Sequence, residues 1–135
     1  MTYIPDSLRQ LVIERAQYKC EYCLIDEQYS IYSHEIDHII PEKHRGETTE
    51  INLCYACLEC NRNKGSDFAS FDPIDGEVAL LYNPRKDRWS DHFELEGGEI
   101  IALTAKGRVT EFILKLNNPR SLLNRQRLFK LKLYP

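Results

Sequence analysis

The chain has 135 residues, 42% of them apolar, and a formal charge of −3. That length suits one domain, residues 1–135, with a modest core; the apolar content excludes disorder as the default state. Its longest apolar runs are only a few residues, far short of the ~20 that a membrane helix needs, so no membrane partner is expected. The N-terminus lacks a basic region followed by an apolar stretch, and the expected home is the cytoplasm.

Charge is unevenly placed. Residues 1–105 carry 10 Lys/Arg and 20 Asp/Glu, a balance of −10, whereas residues 106–135 carry 8 Lys/Arg and only Glu111, a balance of +7. A polyanion would be met through that C-terminal segment.

Pro5 precedes a first helix, Asp6 to Tyr18, with Asp6 as its expected cap and Leu8, Leu11 and Val12 at helical spacing. Cys20-Glu-Tyr-Cys23 is a tight turn. Residues 24–32 mix acids and tyrosines and favour no element. Ser33 to Ile40 reads as a strand closed by Pro41, with His34 facing solvent. Glu42 to Glu50, with Gly46, is a loop, and Ile51-Asn52-Leu53 re-enters the core. Cys54 to Asn63 reads as helical and stops at Lys64-Gly65. Residues 66–76 read as a linker. Val78 to Tyr82 is a short strand, and a turn comes next at residues 83–87. Trp89 is expected in the core. His92–Leu95 and Ile100–Leu103 form a hairpin around Gly97-Gly98. Thr104 caps a helix from Ala105 to about Leu116. Asn117-Asn118-Pro119 breaks it, and Ser121 to Lys132 is a basic last helix.

Five cysteines form an odd set, which argues against a disulfide framework. Cys20-x2-Cys23 and Cys57-x2-Cys60, with 33 residues between them, each place two thiolates on one turn. Together they complete a tetrahedral sulfur shell with no position left for water, which is a structural zinc site. Cys54 is left over and reads as a buried small apolar residue.

Between the pairs lies Glu35-Ile36-Asp37-His38-Ile39-Ile40-Pro41, and Asn61 directly follows Cys60. These residue types suit phosphodiester hydrolysis. An imidazole can activate water, because histidine titrates near neutral pH. A divalent cation can offset phosphorane charge and stabilise the leaving oxygen. Hard Mg2+ or Mn2+ prefers oxygen donors, and Asp37 and the Asn61 carbonyl supply them. Asp37 and His38 cannot share one regular strand face, so a strand end or bulge is expected at His38. Asn52 is the candidate to hold it, since an amide can bond backbone groups from both ends.

The set Cys20-x2-Cys23, Glu35 to Pro41, Glu50-Ile51-Asn52-Leu53 and Cys57-x2-Cys60-Asn61-x2-Lys64-Gly65 resembles the HNH endonucleases and covers about residues 20–65. The segment Tyr82 to Phe93 is similar, more loosely, to the stretch C-terminal to the motif in small stand-alone bacterial members. The resemblance implies an α+β fold: a small ββα-metal core stapled by zinc, with an extra β-hairpin region and C-terminal helices over about residues 77–135. It implies His38 as general base, Asp37 and Asn61 as ligands of a catalytic Mg2+ or Mn2+, and Asn52 as the loop-fixing residue. It implies hydrolysis leaving a 5′ phosphate and a 3′ hydroxyl.

Arg62 and Lys64, beside Asn61, are candidates for phosphate contact, as is Arg45 in the loop. Arg125 and Arg127 belong to the basic tail and would grip DNA by charge. The competing expectation is a non-catalytic zinc module that binds nucleic acid or protein; RNA is a third substrate class to be tested. Cutting two strands with one small site would favour a homodimer.

Overall fold

The computed structural model describes residues 2–135. Helix α1 spans Asp6–Arg15. Pro5 is its N-cap and no side chain caps it, so Asp6 sits in the first turn and acts on the helix dipole instead of capping as expected. The helix stops three residues before the expected end, because Gln17 and Tyr18 adopt left-handed backbone, with φ of 56° and 61°.

Strand β1 is Glu35–His38 and strand β2 is Leu53–Ala56. They pair antiparallel in regular register, Glu35 with Ala56, Asp37 with Cys54 and His38 with Leu53. The expected helix from Cys54 is therefore wrong in its first turn. All four residues of β2 are buried. Leu53 and Tyr55 face α1, packing with Ile4 and Val12, while Cys54 and Ala56 face the main core. A short apolar run buried on both faces has no period that separates strand from helix. Helix α2 then starts later, at Leu58–Lys64. Arg15 fastens α1 to this unit by donating to the carbonyls of Glu50 (2.9 Å) and Leu53 (2.8 Å).

The segment expected to be a linker contains strand β3, Ala69–Phe71, paired with β4, Val78–Leu80. Its turn is locked by Asp72, which accepts from Arg108 Nε and Nη2, both at 2.8 Å. Arg108 lies on a later helix, Ala105–Leu114, so the hairpin is pinned by a distant partner that local sequence does not reveal. A single turn, α3 at Trp89–His92, leads into β5 (Phe93–Glu96), which pairs with β6 (Glu99–Ala102). The expected glycine turn is present: Gly98 has φ 116°, and a Cβ there would fall 2.8 Å from the Gln126 backbone nitrogen. Thr104 caps α4, Ala105–Leu114, accepting from Gly107 N at 3.0 Å. Helix α5 is Pro119–Lys130, capped by Asn118, so Pro119 starts this helix in the first-turn position proline tolerates.

The main apolar cluster runs from Cys20, Tyr22 and Cys57 through Tyr82 and Phe93 to Leu128 and Tyr134. Trp89 packs against it and donates to the Tyr22 carbonyl at 2.9 Å. His34 is buried, contrary to the solvent-facing expectation, with Nε2 3.0 Å from the Ile25 carbonyl and its ring against Tyr55. Among the described residues, no helix is long and apolar enough to cross a membrane.

The Arg108 pair and backbone amides hold the Asp72 carboxyl down at about 2. Its folded value lies below the ordinary ~3.9, so its stabilisation is present above that value and is lost as pH falls towards 2. Denaturation midpoints of wild type and Asp72→Asn should differ by a constant amount from pH 8 to about 4, in favour of wild type. The gap should narrow below that; a gap unchanged at lower pH would contradict the assignment.

Candidate active site and metal centre

The two C-x2-C turns converge. The ligand atoms of Cys20, Cys23, Cys57 and Cys60 all lie within 4.8 Å of one another, and all four residues are buried. The Cys23 and Cys60 amides donate to Cys20 and Cys57 sulfurs at 3.4 Å, the first of each pair accepting from the second. Cys57 is also the N-cap of α2, so the cluster starts the helix. Burial disfavours a thiolate at Cys20, but contacts with Cys23, Cys57 and Cys60 outweigh it and bring that thiol well below the ordinary value. Cys23 and Cys60, bonded to that sulfur, are pushed well above it. Four sulfurs this close, all buried, are the donor set of a four-thiolate zinc shell. Cys54 stands apart on β2, fully buried, its thiol pushed up by burial and placed 3.6 Å from the Tyr22 hydroxyl.

Helix α2 crosses β1. Residues 61 and 64 are one turn apart on the helix, and 35 and 37 share one face of the strand. Asn61 Nδ2 donates to Glu35 Oε1 at 2.9 Å, and Lys64 Nζ stands 2.9 Å from Asp37 Oδ2. The same ammonium donates to the His38 carbonyl at 2.9 Å. Lys64 is 1% exposed, so it is not the phosphate contact expected from the sequence; it is the internal cation of Asp37. Burial pushes the Asp37 carboxyl up, and Lys64 opposes that shift.

His38 ends β1, but the ribbon is regular up to it, so the bend expected to bring Asp37 and His38 to one face is absent. Its partner across the ribbon is Leu53, so it faces the α1 side, opposite to Asp37. Nε2 lies 2.8 Å from Thr48 Oγ1 and 3.8 Å from Glu42 Oε1, and the side chain is 16% exposed. Asn52 holds the turn after it: Oδ1 accepts from Ile40 N at 2.9 Å, and Nδ2 donates to the carbonyls of Ile40 (3.0 Å) and Glu47 (2.8 Å). Gly46 makes the clamp possible, because a Cβ there would lie 1.6 Å from the Ile40 oxygen and 2.9 Å from Asn52 Nδ2.

A cavity of about 340 Å³ next to this turn is lined by Arg45, Asn52 and Lys64 but not by His38 or Asp37. Asp37, Asn61 and His38 thus share one strand–helix unit, with Asp37 and His38 on opposite faces of β1. Arg45 and Arg62 are exposed; Arg125 is buried, donating to the Gly98 carbonyl (2.7 Å) and Asn117 Oδ1 (2.9 Å), so it ties the hairpin and cannot be a tail contact with DNA. Glu35 and Thr48 are the site neighbours that sequence reasoning misses. Glu35 is readable from its two-residue offset to Asp37 on a strand, whereas Thr48 carries no local signal.

The donor types are those a hard cation takes, but the Lys64 ammonium stands against Asp37. Asp37 Oδ2 is buried and makes no directed hydrogen bond, the Lys64 contact being one of charge and distance only. Glu35, Asp37 and the Asn61 side-chain carbonyl would offer a cation an all-oxygen set.

Residues 20–67 match the HNH endonuclease family model. No curated protein and no solved structure gives a match.

Removing Lys64 strands a buried carboxylate, which costs about 3 kcal/mol or more. Lys64→Met should therefore unfold at markedly lower denaturant than wild type. Adding Asp37→Asn to it should restore much of the loss. A double variant as unstable as the sum of the two singles would show that the two side chains do not depend on each other.

Proposed function

We propose that this chain is a metal-dependent endonuclease that hydrolyses DNA phosphodiester bonds, with residues 1–135 working as one unit. The observation that carries the reading is the β1–β2–α2 unit: α2 brings Asn61 across to the acidic face of β1, while Asn52 clamps the turn that presents His38.

In this reading His38 Nε2 takes the proton of a water. The Thr48 hydroxyl at 2.8 Å marks a position from which an oxygen reaches that nitrogen, and Glu42 Oε1 stands 3.8 Å from it. The water oxygen bonds to phosphorus as the bond to the 3′ oxygen breaks, and that oxygen takes a proton from solvent, which leaves a 5′ phosphate and a 3′ hydroxyl. Asp37 and Asn61, with Glu35 beside them, would hold Mg2+ or Mn2+. When bound, that ion supplies Lewis-acid stabilisation of phosphorane and leaving-group charge. Lys64 keeps Asp37 ionised and in place, and Asn52 keeps the backbone after His38 from relaxing. Arg45 and Arg62 are left to meet phosphates.

One observation favours the competing reading, a zinc module that binds without cutting: Lys64 already neutralises Asp37. A plasmid-nicking assay separates the two. Wild type with Mg2+ or Mn2+ should nick plasmid, and His38→Ala should lose at least about 10²-fold in rate while still binding. Equal cleavage by His38→Ala would remove His38 as base, and no cleavage of DNA or RNA by wild type would leave the binding module.

A further inference from the structure

A groove lies on the other side of α2, outside the proposed reaction. It runs between α2 and α5, encloses about 660 Å³, and backs onto the cysteine cluster. That volume is in the ~300–1,000 Å³ range of ligand sites. From α5, Arg120, Asn124 and Arg127 line it at spacings of four and three, one stripe of a helix. Arg62 contributes from α2, one residue after Asn61. All three arginines are exposed.

The chain as a whole is acidic, yet the groove is not. Among the described residues Glu59 is the one acid in the lining, and it is already engaged by the Ser121 hydroxyl at 2.7 Å and Asn118 Nδ2 at 3.2 Å. Arg62, Arg120 and Arg127 have no carboxylate partner among the described residues. The lining also includes Tyr32, 65% exposed, an aromatic surface beside three open cations.

We propose that this groove seats a single strand of nucleic acid, its phosphates along Arg62, Arg120 and Arg127 and an unpaired base on Tyr32. The choice of nucleic acid rests on the nuclease reading; the choice of a single strand rests on the groove. A duplex hides its base faces and would use the cations alone. An unpaired strand offers both phosphates and base faces, the combination that single-strand sites bind. The substrate is then DNA with an unpaired segment, such as a gap, flap or free strand, and the strand leaves the groove at Arg62, next to the candidate centre.

Fluorescence anisotropy of the zinc-loaded full chain, without added Mg2+ or Mn2+, tests this apart from cleavage. The probes are fluorescein-labelled dT20 and a 20-base-pair duplex. Wild type should bind dT20 tighter than duplex. Arg120→Gln/Arg127→Gln should weaken dT20 binding at least tenfold and reduce the slope of log Kd against log salt by about 1.4, two phosphates' worth for a single strand. Tyr32→Ala should weaken dT20 by about fivefold or more and leave the duplex unchanged. These side chains are exposed, and circular dichroism with zinc content confirms that the variants fold. Wild-type affinity and slope in the double variant would overturn the proposal, as would tighter binding of duplex. Displacement of dT20 by polyglutamate of equal charge would also overturn it, pointing to an acidic protein. Absence of nicking in the plasmid assay would sink the nuclease reading and leave these binding results standing.

Discussion

Everything in this fold is referred to four sulfur atoms. Cys20 and Cys23 come from the turn after α1, and Cys57 and Cys60 from the junction of β2 and α2, so their convergence closes the loop that contains Asp37, His38 and Asn52, with Asn61 directly after it. Loop closure costs chain entropy, and a metal ion held by the four thiolates would supply free energy against that cost. The C-terminal half docks on the same point. Tyr134 donates to the Cys23 carbonyl at 2.6 Å, Trp89 to the Tyr22 carbonyl, and Arg85 pairs with Glu21, between the first two cysteines. The extension therefore braces the cysteine turn, and its own core is continuous with it.

Within that frame the chemistry turns on one buried charge. Asp37 lies on the core face of β1 opposite Cys54, where a lone carboxylate is costly. Lys64 answers it from α2 and reaches the His38 carbonyl as well, so one ammonium touches both residues of the Asp-His pair. This couples helix position to strand end: α2 cannot shift along β1 without breaking the ion pair. His38 meanwhile projects to the α1 side, held by Thr48 and by the Asn52 clamp on the next turn. Asp37 and His38 are joined through the backbone and through Lys64.

Several features are legible in the sequence because their physics is local. The C-x2-C turns, the Thr104 cap, the glycine hairpin and the Asn52 clamp each depend on residues within a few positions or on a side chain with one obvious use. What stays hidden depends on distant partners. Strand β2 reads as helix because burial on both faces erases its period, and β3 reads as linker because Arg108, which fixes its turn, is 36 residues from Asp72. Lys64 and Arg125 look like phosphate contacts because basic residues are usually solvated; here each is buried on an acceptor from another element. His34 turns inward for the same reason, taking the Ile25 carbonyl.

The central claim is that the oxygen donors of β1 and α2 take a hard cation beside a zinc held by sulfur. A crystal structure of the zinc-loaded chain soaked in Mn2+, with anomalous data at both metal edges, tests it most directly. Zinc is expected at the four cysteines and manganese against Asp37 and Asn61, with the Lys64 ammonium withdrawn from the carboxylate. Manganese absent from that face, with Lys64 still seated on Asp37, would contradict it.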